Sequence, residues 1–315
     1  MSTQPRDKPR MFQRPEVEDD SVEAYDAHGR VVRVPRAEWR EKVLLPTLEE
    51  AKVDLERLYG VIVAALTDGY ADDLLPYAFF LAERDTSPAR GAALVAAVHL
   101  AMNALDDAEA VLERSLAEHG PDALVLANLA RVHEGRGNEE RVGTLLWDAL
   151  TLDPNHGFTF GWFMDRARAK GGPEATRIAS ETVGALPGSW RARLVRAGYS
   201  LAHGRFEEAG GYHDEALAMA PDPVPSDLLL QMSGDLGKAG RFDTLVALVR
   251  PRFRPEIHDF FVGANLMKAY LGLERREAAV EVFDALCNEN RVDWHDRLEQ
   301  WRAMLGAVAP GVARA

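Results

Sequence analysis

The chain has 315 residues, of which 47% are hydrophobic and 28% are charged, a composition that excludes a fibrous or largely disordered protein. Asp and Glu outnumber Lys and Arg by 50 to 37, giving a net charge of −13. That excess of negative charge disfavours nonspecific binding to nucleic acid and to anionic lipid. We therefore expect neither nucleic acid nor a membrane among its partners.

Cysteine content and hydropathy bear on cellular location. The single cysteine, Cys287, cannot form an intramolecular disulfide, and the first twenty residues contain no apolar signal-peptide stretch. No stretch approaches the roughly 20 apolar residues that a membrane-spanning helix needs. The sequence therefore predicts a cytoplasmic protein, and its Ala- and Arg-rich composition favours a bacterial source.

The N-terminal residues differ in character from the rest of the chain. Residues 1–20 are rich in charged residues and have little to bury, which predicts a disordered tail. Residues 22–35 contain two β-branched runs on either side of the sequence DAHG, which predicts a β-hairpin. Because a lone hairpin is marginal in water, it should pack on the first helices or pair with another chain. A leading helix is expected to pass Pro46 and to complete a segment over 21–54.

A repeat of about 34 residues is the main signal after this segment. His99 and His133 lie 34 residues apart, and apolar positions around them coincide at the same spacing, as Leu112 does with Leu146. A fixed period of this length indicates stacked supersecondary units. Extending the spacing gives seven units that start near Glu56, Ala89, Ala123, Gly157, Trp190, Ser226 and Asp259.

Each unit repeats the same small or apolar positions. About eight residues into the units lie Ile62, Ala96, Ala130, Met164, Ala197, Ser233 and Met267. About twenty residues in lie Leu74, Ala108, Val142, Ala175, Ala209, Leu245 and Ala279. Glycines that permit a left-handed helix end separate the two halves of several units, at Gly69, Gly137, Gly171, Gly204 and Gly240. Prolines that stop a second helix follow at Pro121, Pro154, Pro187 and Pro221.

The clearest unit covers residues 123–154, with the sequence ALVLANLARVHEGRGNEERVGTLLWDALTLDP. Through its Ala130, Gly137, Ala149 and Pro154 it resembles the tetratricopeptide repeat family. The resemblance implies an all-α solenoid of about seven helix pairs over residues 55–290. In such a repeat, small residues let the helices approach closely, and each pair covers the apolar face of its neighbour.

A stack of helix pairs needs a last element with a polar outer face. Residues 292–308 hold four apolar side chains at helical spacing, namely Trp294, Leu298, Trp301 and Leu305. We therefore predict a C-terminal capping helix within a final segment, 291–315.

The resemblance also implies a function: proteins of this family bind peptides or partner helices on a concave face lined by the first helix of each pair. The family's geometry places Tyr59, Val63, Leu94, Arg131, Phe158, Asp165, Arg168, Arg191, Leu201, Leu230, Phe261 and Lys268 on that face. The arginines would pair with acidic side chains of an apolar helix or strand. The predicted function is that of a non-catalytic adaptor or scaffold for a protein or peptide partner. The alternative is a structural subunit of a homo-oligomer, such as a homodimer joined through the hairpin.

Three sequence features could indicate phosphate binding, metal binding or catalysis, but each has a simpler structural interpretation. Residues 234–240 superficially resemble a phosphate-binding loop, but the spacing is wrong and Ala239 stands where Ser or Thr would hold magnesium. Stacked His99 and His133 could share a metal, yet no further ligand motif accompanies them. Cys287 occupies a position where other units carry leucine, which indicates packing rather than nucleophilic chemistry. The sequence therefore predicts no enzyme, no metal and no cofactor.

Two further modes of ligand binding are disfavoured by the sequence. The six tryptophans suggest a ligand cage, although helix packing accounts for them better; Trp162 and Trp190 flank the unit with the weakest repeat match. One subfamily of tetratricopeptide repeat proteins binds the C-terminal carboxylate of its partner through Lys and Asn side chains. Asn128 is present here, but Phe158 and Trp162 stand where the next unit should supply basic residues, which disfavours that mode.

Overall fold

The N-terminal element is a small antiparallel sheet. The structure, a computed structural model, describes residues 21–25 and 31–307. Strand β1, Ser21–Tyr25, pairs with β2, Val31–Pro35, so the predicted hairpin is confirmed. Its predicted turn DAHG, the predicted tail over 1–20 and residues 308–315 lie outside the described residues.

A continuous helical segment leads from the hairpin into the repeats. It consists of α1, Arg36–Trp39, a π-helical turn, Arg40–Leu44, and α2, Leu45–Ala51. The widened turn comes just before Pro46, whose ring and missing amide proton are incompatible with a regular helical hydrogen bond. The chain therefore passes Pro46 without leaving the helix.

The described residues contain seven helix pairs, each made of a first and a second helix. The first helices are α3, Leu55–Thr67; α5, Pro88–Ala101; α7, Ala123–Gly135; the first half of α9, Gly157–Gly184; α10, Trp190–Ala202; α12, Ser226–Lys238; and α14, Phe260–Gly272. The second helices are α4, Leu75–Ala82; α6, Leu105–His119; α8, Glu139–Leu152; the second half of α9; α11, Phe206–Met219; α13, Phe242–Val249; and α15, Arg276–Asn288. The predicted all-α class with about seven helix pairs is confirmed.

The chain divides into two compact units at Thr159. In the first unit, a core around Leu48, Leu58 and Ile62 joins α2, α3, α4 and α5, while in the second unit a larger core extends from Trp190 to Leu305. The predicted division of the chain into the segments 1–20, 21–54, 55–290 and 291–315 stays a prediction.

The repeated small and apolar positions form the contacts between helices. All seven residues of the first set are buried, from Ile62 to Met267. Six of the seven residues of the second set are completely buried, whereas Ala175 is only half-buried. Ala175 follows the break in α9, where Gly171 and Gly172 leave the helical conformation before Pro173. The sequence pattern therefore identifies the packing positions, with one exception where a helix is interrupted.

A left-handed residue recurs at the turn inside each pair. These residues, all with φ between 58° and 80°, are Gly69, Asn103, Gly137, Gly172, Gly204, Gly240 and Glu274. In the fourth pair the prediction was wrong by one residue, because Gly171 has φ −152° and Gly172 takes the left-handed conformation. Pro173 accounts for the shift, since a residue before proline is pushed out of the helical region.

The C-terminal element has one buried stripe. A 3-10 turn, Val292–Trp294, leads into α16, His295–Ala307, on which the predicted Leu298, Trp301 and Leu305 are buried with Trp294. Most other described side chains of α16 are exposed. One apolar side and one solvated side make this the predicted capping helix.

Candidate functional site

A groove of about 250 Å³ lies in the first unit, between the first helices of consecutive pairs. We call it the first-helix groove. It is lined by Tyr59, Val63 and Leu66 on α3, Ala93, Leu94 and Ala97 on α5, Leu124, Asn128 and Arg131 on α7, and His156 and Phe158. Five of the twelve residues predicted for the binding face, Tyr59, Val63, Leu94, Arg131 and Phe158, therefore come together.

Helical periodicity explains why these side chains share a face. The α3 residues and the α7 residues are both spaced i, i+4, i+7, which places them on one side of their helix. Helices α5 and α7 pack side by side, so the faces of successive first helices join. The repeat thus brings residues about 34 positions apart into one groove.

The walls of the first-helix groove are mainly apolar and partly open to solvent. Val63 is 40% exposed and Phe158 is 38% exposed, whereas Leu94 is buried at 4%. Exposed apolar side chains beside a buried apolar floor offer surface that a ligand could remove from water.

One charged group enters this apolar groove. Arg131 donates from Nη1 to Oδ1 of Asn128, and Asn128 donates from Nδ2 to the carbonyl oxygen of Leu124, both over 2.9 Å. Burial lowers the pKa of the Arg131 guanidinium, which still stays charged at neutral pH. Its contact with the buried Asn128 orients the cation, so the groove can accept an apolar side chain and an acidic group together.

The remaining seven predicted residues lie in the second unit, in different environments. Asp165 and Arg168 make an exposed ion pair of 3.3 Å, and Leu201 is buried. Arg191 pairs with Asp227 and lies 4.5 Å from the ring centroid of Trp190. Its guanidinium is thus already engaged within the chain.

The other three residues of this group have different environments. Phe261 is 46% exposed and lies under the guanidinium of Arg297, 4.8 Å from its ring centroid. Leu230 is half-buried against the core of the second unit, and Lys268 is exposed. The proposal that all twelve residues form one binding face stays untested.

Sequence reasoning missed a larger groove of about 660 Å³ in the second unit. We call it the polar groove. It lies between the second half of α9, α10 and α11, and among the predicted residues only Arg168 lines it. Its other lining residues are Pro173, Thr176, Arg177, Ser180, Glu181, Val195, Arg196, Tyr199, Ser200, His203, Arg205, Glu208 and Tyr212. The i, i+3, i+7 spacing of Arg196, Tyr199 and His203 was a usable signal, but the predicted face used other residues of α10, Arg191 and Leu201.

Residues with candidate chemistry occupy structural positions. His99 meets Phe79 edge-on, and Nε2 of His133 lies 3.6 Å from Glu109. Cys287 packs beside the second core, and burial raises the pKa of its thiol, which disfavours the reactive thiolate. Within residues 21–25 and 31–307, no cluster of three His, Cys, Asp or Glu could hold a metal ion. None of the helices in these ranges combines the length and apolar character needed to cross a bilayer.

Comparison with solved structures finds similarity at low sequence identity. No family model and no curated protein matches the chain. A chain of the APC/C hetero-tetramer Cut9–Hcn1 is 14% identical over 82% of this chain, with a TM-score of 0.39. This chain spans about half of that protein, 52% of its length. A tetratricopeptide repeat protein from Parabacteroides merdae is 15% identical over 85% of this chain and 99% of its own, with a TM-score of 0.37.

The class of protein follows from the chain's own helices. Seven helix pairs, a recurring left-handed turn residue and repeated buried positions define an all-α helical repeat protein. These features are consistent with a repeat of the tetratricopeptide type.

Proposed function

We propose that this protein is a non-catalytic adaptor or scaffold that binds a peptide or a partner helix in the first-helix groove. One observation carries the proposal: side chains of α3, α5 and α7 meet in a groove that combines apolar walls with an oriented arginine. In helical repeat proteins, stacking buries the faces between neighbouring pairs and leaves a concave surface that is available to a ligand.

The groove favours an amphipathic helix with an acidic residue near its apolar stripe. Val63, Leu94 and Phe158 would contact the apolar side chains, and Arg131 would pair with the carboxylate. Burying one such apolar side chain stabilises a complex by about 1.5–3 kcal/mol. Two or three anchors of this size would therefore dominate the affinity.

A peptide library selected against the full chain tests this proposal with two matched variants. Val63→Glu places a charge in the groove, whereas Val53→Glu makes the same change at a residue that is 91% exposed and outside the groove. We expect Val63→Glu to weaken the selected peptides by about tenfold or more, since the new carboxylate would lose hydration when an apolar side chain of the peptide covers it. Val53→Glu should bind like the unchanged protein. Equal binding by both variants would contradict the proposal.

The hairpin supports a second candidate, a structural subunit of a homo-oligomer. Among the described residues no third strand pairs with β1 or β2, and Val32 on β2 is 37% exposed. Unpaired strand edges are templates for pairing with another chain. Light scattering would test this candidate with Val32→Lys, using Val292→Lys at a 79% exposed position as the control. A dimer that is lost only in Val32→Lys would support it, and an unchanged mass would reject it.

We extend the proposal to partners and location. A net charge of −13 favours protein partners over nucleic acid or anionic membrane surfaces, and a single cysteine suits the cytoplasm. Binding of the full chain to labelled DNA or to anionic vesicles at physiological salt would contradict this part of the proposal.

A further inference from the structure

The polar groove concentrates positive charge in an acidic protein. Four arginines line it, Arg168, Arg177, Arg196 and Arg205, against two carboxylates, Glu181 and Glu208. The lining therefore carries a formal charge of +2, in a chain whose net charge is −13. Asp165 and Glu174, which pair with Arg168 and Arg177, do not line the groove, so its surface presents mainly arginines to an anionic group.

Most charges in this groove are already balanced within the chain. Glu208 accepts hydrogen bonds from Ser200 Oγ at 3.0 Å and from Tyr212 Oη at 3.3 Å, and it pairs with Arg205 at 3.1 Å. Arg177 pairs with Glu181 on one side, at 2.5 Å, and with Glu174 on the other. Arg196 differs from these residues because, in the described ranges of the chain, its positive charge is not balanced by such a contact.

Arg196 is held in place without a carboxylate. It donates from Nη2 to the hydroxyl of Tyr212, and its guanidinium lies 4.3 Å from the centroid of that ring. In the part of the chain that the structure describes, no Asp or Glu oxygen lies within 4 Å of it. Burial raises the pKa of Tyr212, so its hydroxyl keeps the proton that it donates to Glu208. The guanidinium has five donors, and the single tyrosine oxygen cannot satisfy them all.

We propose that the polar groove binds an acidic peptide segment, with a Glu or Asp side chain paired to Arg196 and neighbouring carboxylates near Arg168 and Arg205. Tyr199 and Tyr212 supply aromatic surface for the peptide between these charges. None of the residues that line the polar groove lines the first-helix groove.

The lining favours a peptide over a small apolar ligand or a phosphate. Small-molecule sites are lined mainly by hydrophobic side chains, whereas this groove offers Val195 and Pro173 as its aliphatic residues. Glu181 and Glu208 stand among the arginines, so single carboxylate charges spread along a chain meet less repulsion than one phosphate dianion. Recognition of acidic motifs by arginine clusters is a known binding mode.

Fluorescence anisotropy tests the proposal on the full chain. The probe is a fluorescein-labelled peptide of alternating Glu and Gly, with a Gln and Gly peptide and a phosphoserine and Gly peptide as comparisons. We expect the Glu peptide to bind at low salt, with weaker binding as salt rises. The Gln peptide should not bind, and the phosphoserine peptide should bind no more tightly than the Glu peptide.

Two variants locate the binding. Arg196→Gln should weaken the Glu peptide by about tenfold, while Arg250→Gln, at an exposed arginine elsewhere in the second unit, should change it less than about twofold. Far-ultraviolet circular dichroism establishes that both variants are folded. Equal affinity for the Glu and Gln peptides in the unchanged protein would overturn the proposal independently of any variant, as would tighter binding of phosphoserine or unaltered binding by Arg196→Gln. Because Val63→Glu should leave the Glu peptide unaffected, failure here is distinguishable from failure of the first-helix groove.

Discussion

Asn128 and Arg131 are joined by a hydrogen bond of 2.9 Å, three residues apart on α7. The asparagine is 6% exposed, and it ties the guanidinium to the floor of the first-helix groove. The hydrogen bond to Asn128 therefore fixes where the Arg131 guanidinium can meet the carboxylate of a ligand.

Replacing Asn128 should reduce both stability and binding. Asn128→Ala removes the acceptor for Arg131 and the donor to the Leu124 carbonyl, so we expect a loss of about 1–3 kcal/mol in the free energy of unfolding. Peptides selected by the unchanged protein should bind more weakly even where the variant is fully folded. Urea unfolding and peptide titration measure the two effects. Unchanged affinity would show that the contact does not orient Arg131 for ligand binding.

The left-handed turn residues give a test of backbone strain. Glu274 has φ 58° at the turn position where other pairs carry glycine, so Glu274→Gly should stabilise the protein by about 1 kcal/mol. Gly240→Ala is the matched reverse change, at φ 67° with no atom near the added methyl group, and should destabilise by a similar amount. Thermal or urea unfolding of both variants checks the signs. Destabilisation by both changes would contradict the strain argument.

Two helix glycines should respond oppositely to alanine. A Cβ at Gly91 on α5 would lie 2.8 Å from the Ala82 Cα, a backbone atom, so Gly91→Ala should destabilise by about 1–3 kcal/mol. Gly143 on α8 has open space there, so Gly143→Ala should gain about 0.5–1 kcal/mol from helix propensity. Urea unfolding compares the two variants. A stabilised Gly91→Ala protein would mean that α4 and α5 are not so closely packed.

His213 on α11 should make stability depend on pH. Burial lowers its pKa from 6.5 to about 4, and within the described residues its Nδ1 has no hydrogen-bond partner. The unfolded chain therefore binds a proton more readily than the folded one, so this contribution is full above pH 6.5 and is lost as pH falls toward 4. The loss amounts to at most about 3 kcal/mol.

His213→Leu isolates this effect from the titration of carboxylates. The variant lacks the titrating group, so its stability should fall less than that of the unchanged protein between neutral pH and pH 4. Urea unfolding at several pH values gives the difference. Parallel pH profiles for the two proteins would mean that His213 is not buried in its neutral form.

Sequence periodicity could predict the helix pairs because their contacts repeat. A small residue such as Ala130 recurs wherever two helices meet, and the stripe from Trp294 to Leu305 marks the cap in the same way. The first-helix groove was partly predictable for this reason, since Tyr59 and Leu94 lie at equivalent faces of successive first helices. Sequence periodicity therefore predicts which side chains share one face of a helix.

Contacts that depend on packing between particular side chains were not predictable. Arg191 pairs with Asp227, 36 residues away, and no sequence feature distinguished it from an arginine offered to a partner. The polar groove needs α9 to break before Pro173, so that its second half, α10 and α11 present side chains to one space. Such features follow from the exact geometry of a break and from side-chain rotamers.

Amide hydrogen exchange gives the most direct test that the first-helix groove is the binding site. It would compare the full chain alone with the chain bound to a peptide selected by the unchanged protein. We predict slower exchange in α3, α5 and α7, where the peptide would rest, and no change in α12 to α15. Slower exchange confined to the second unit, with α3, α5 and α7 unaffected, would contradict the account.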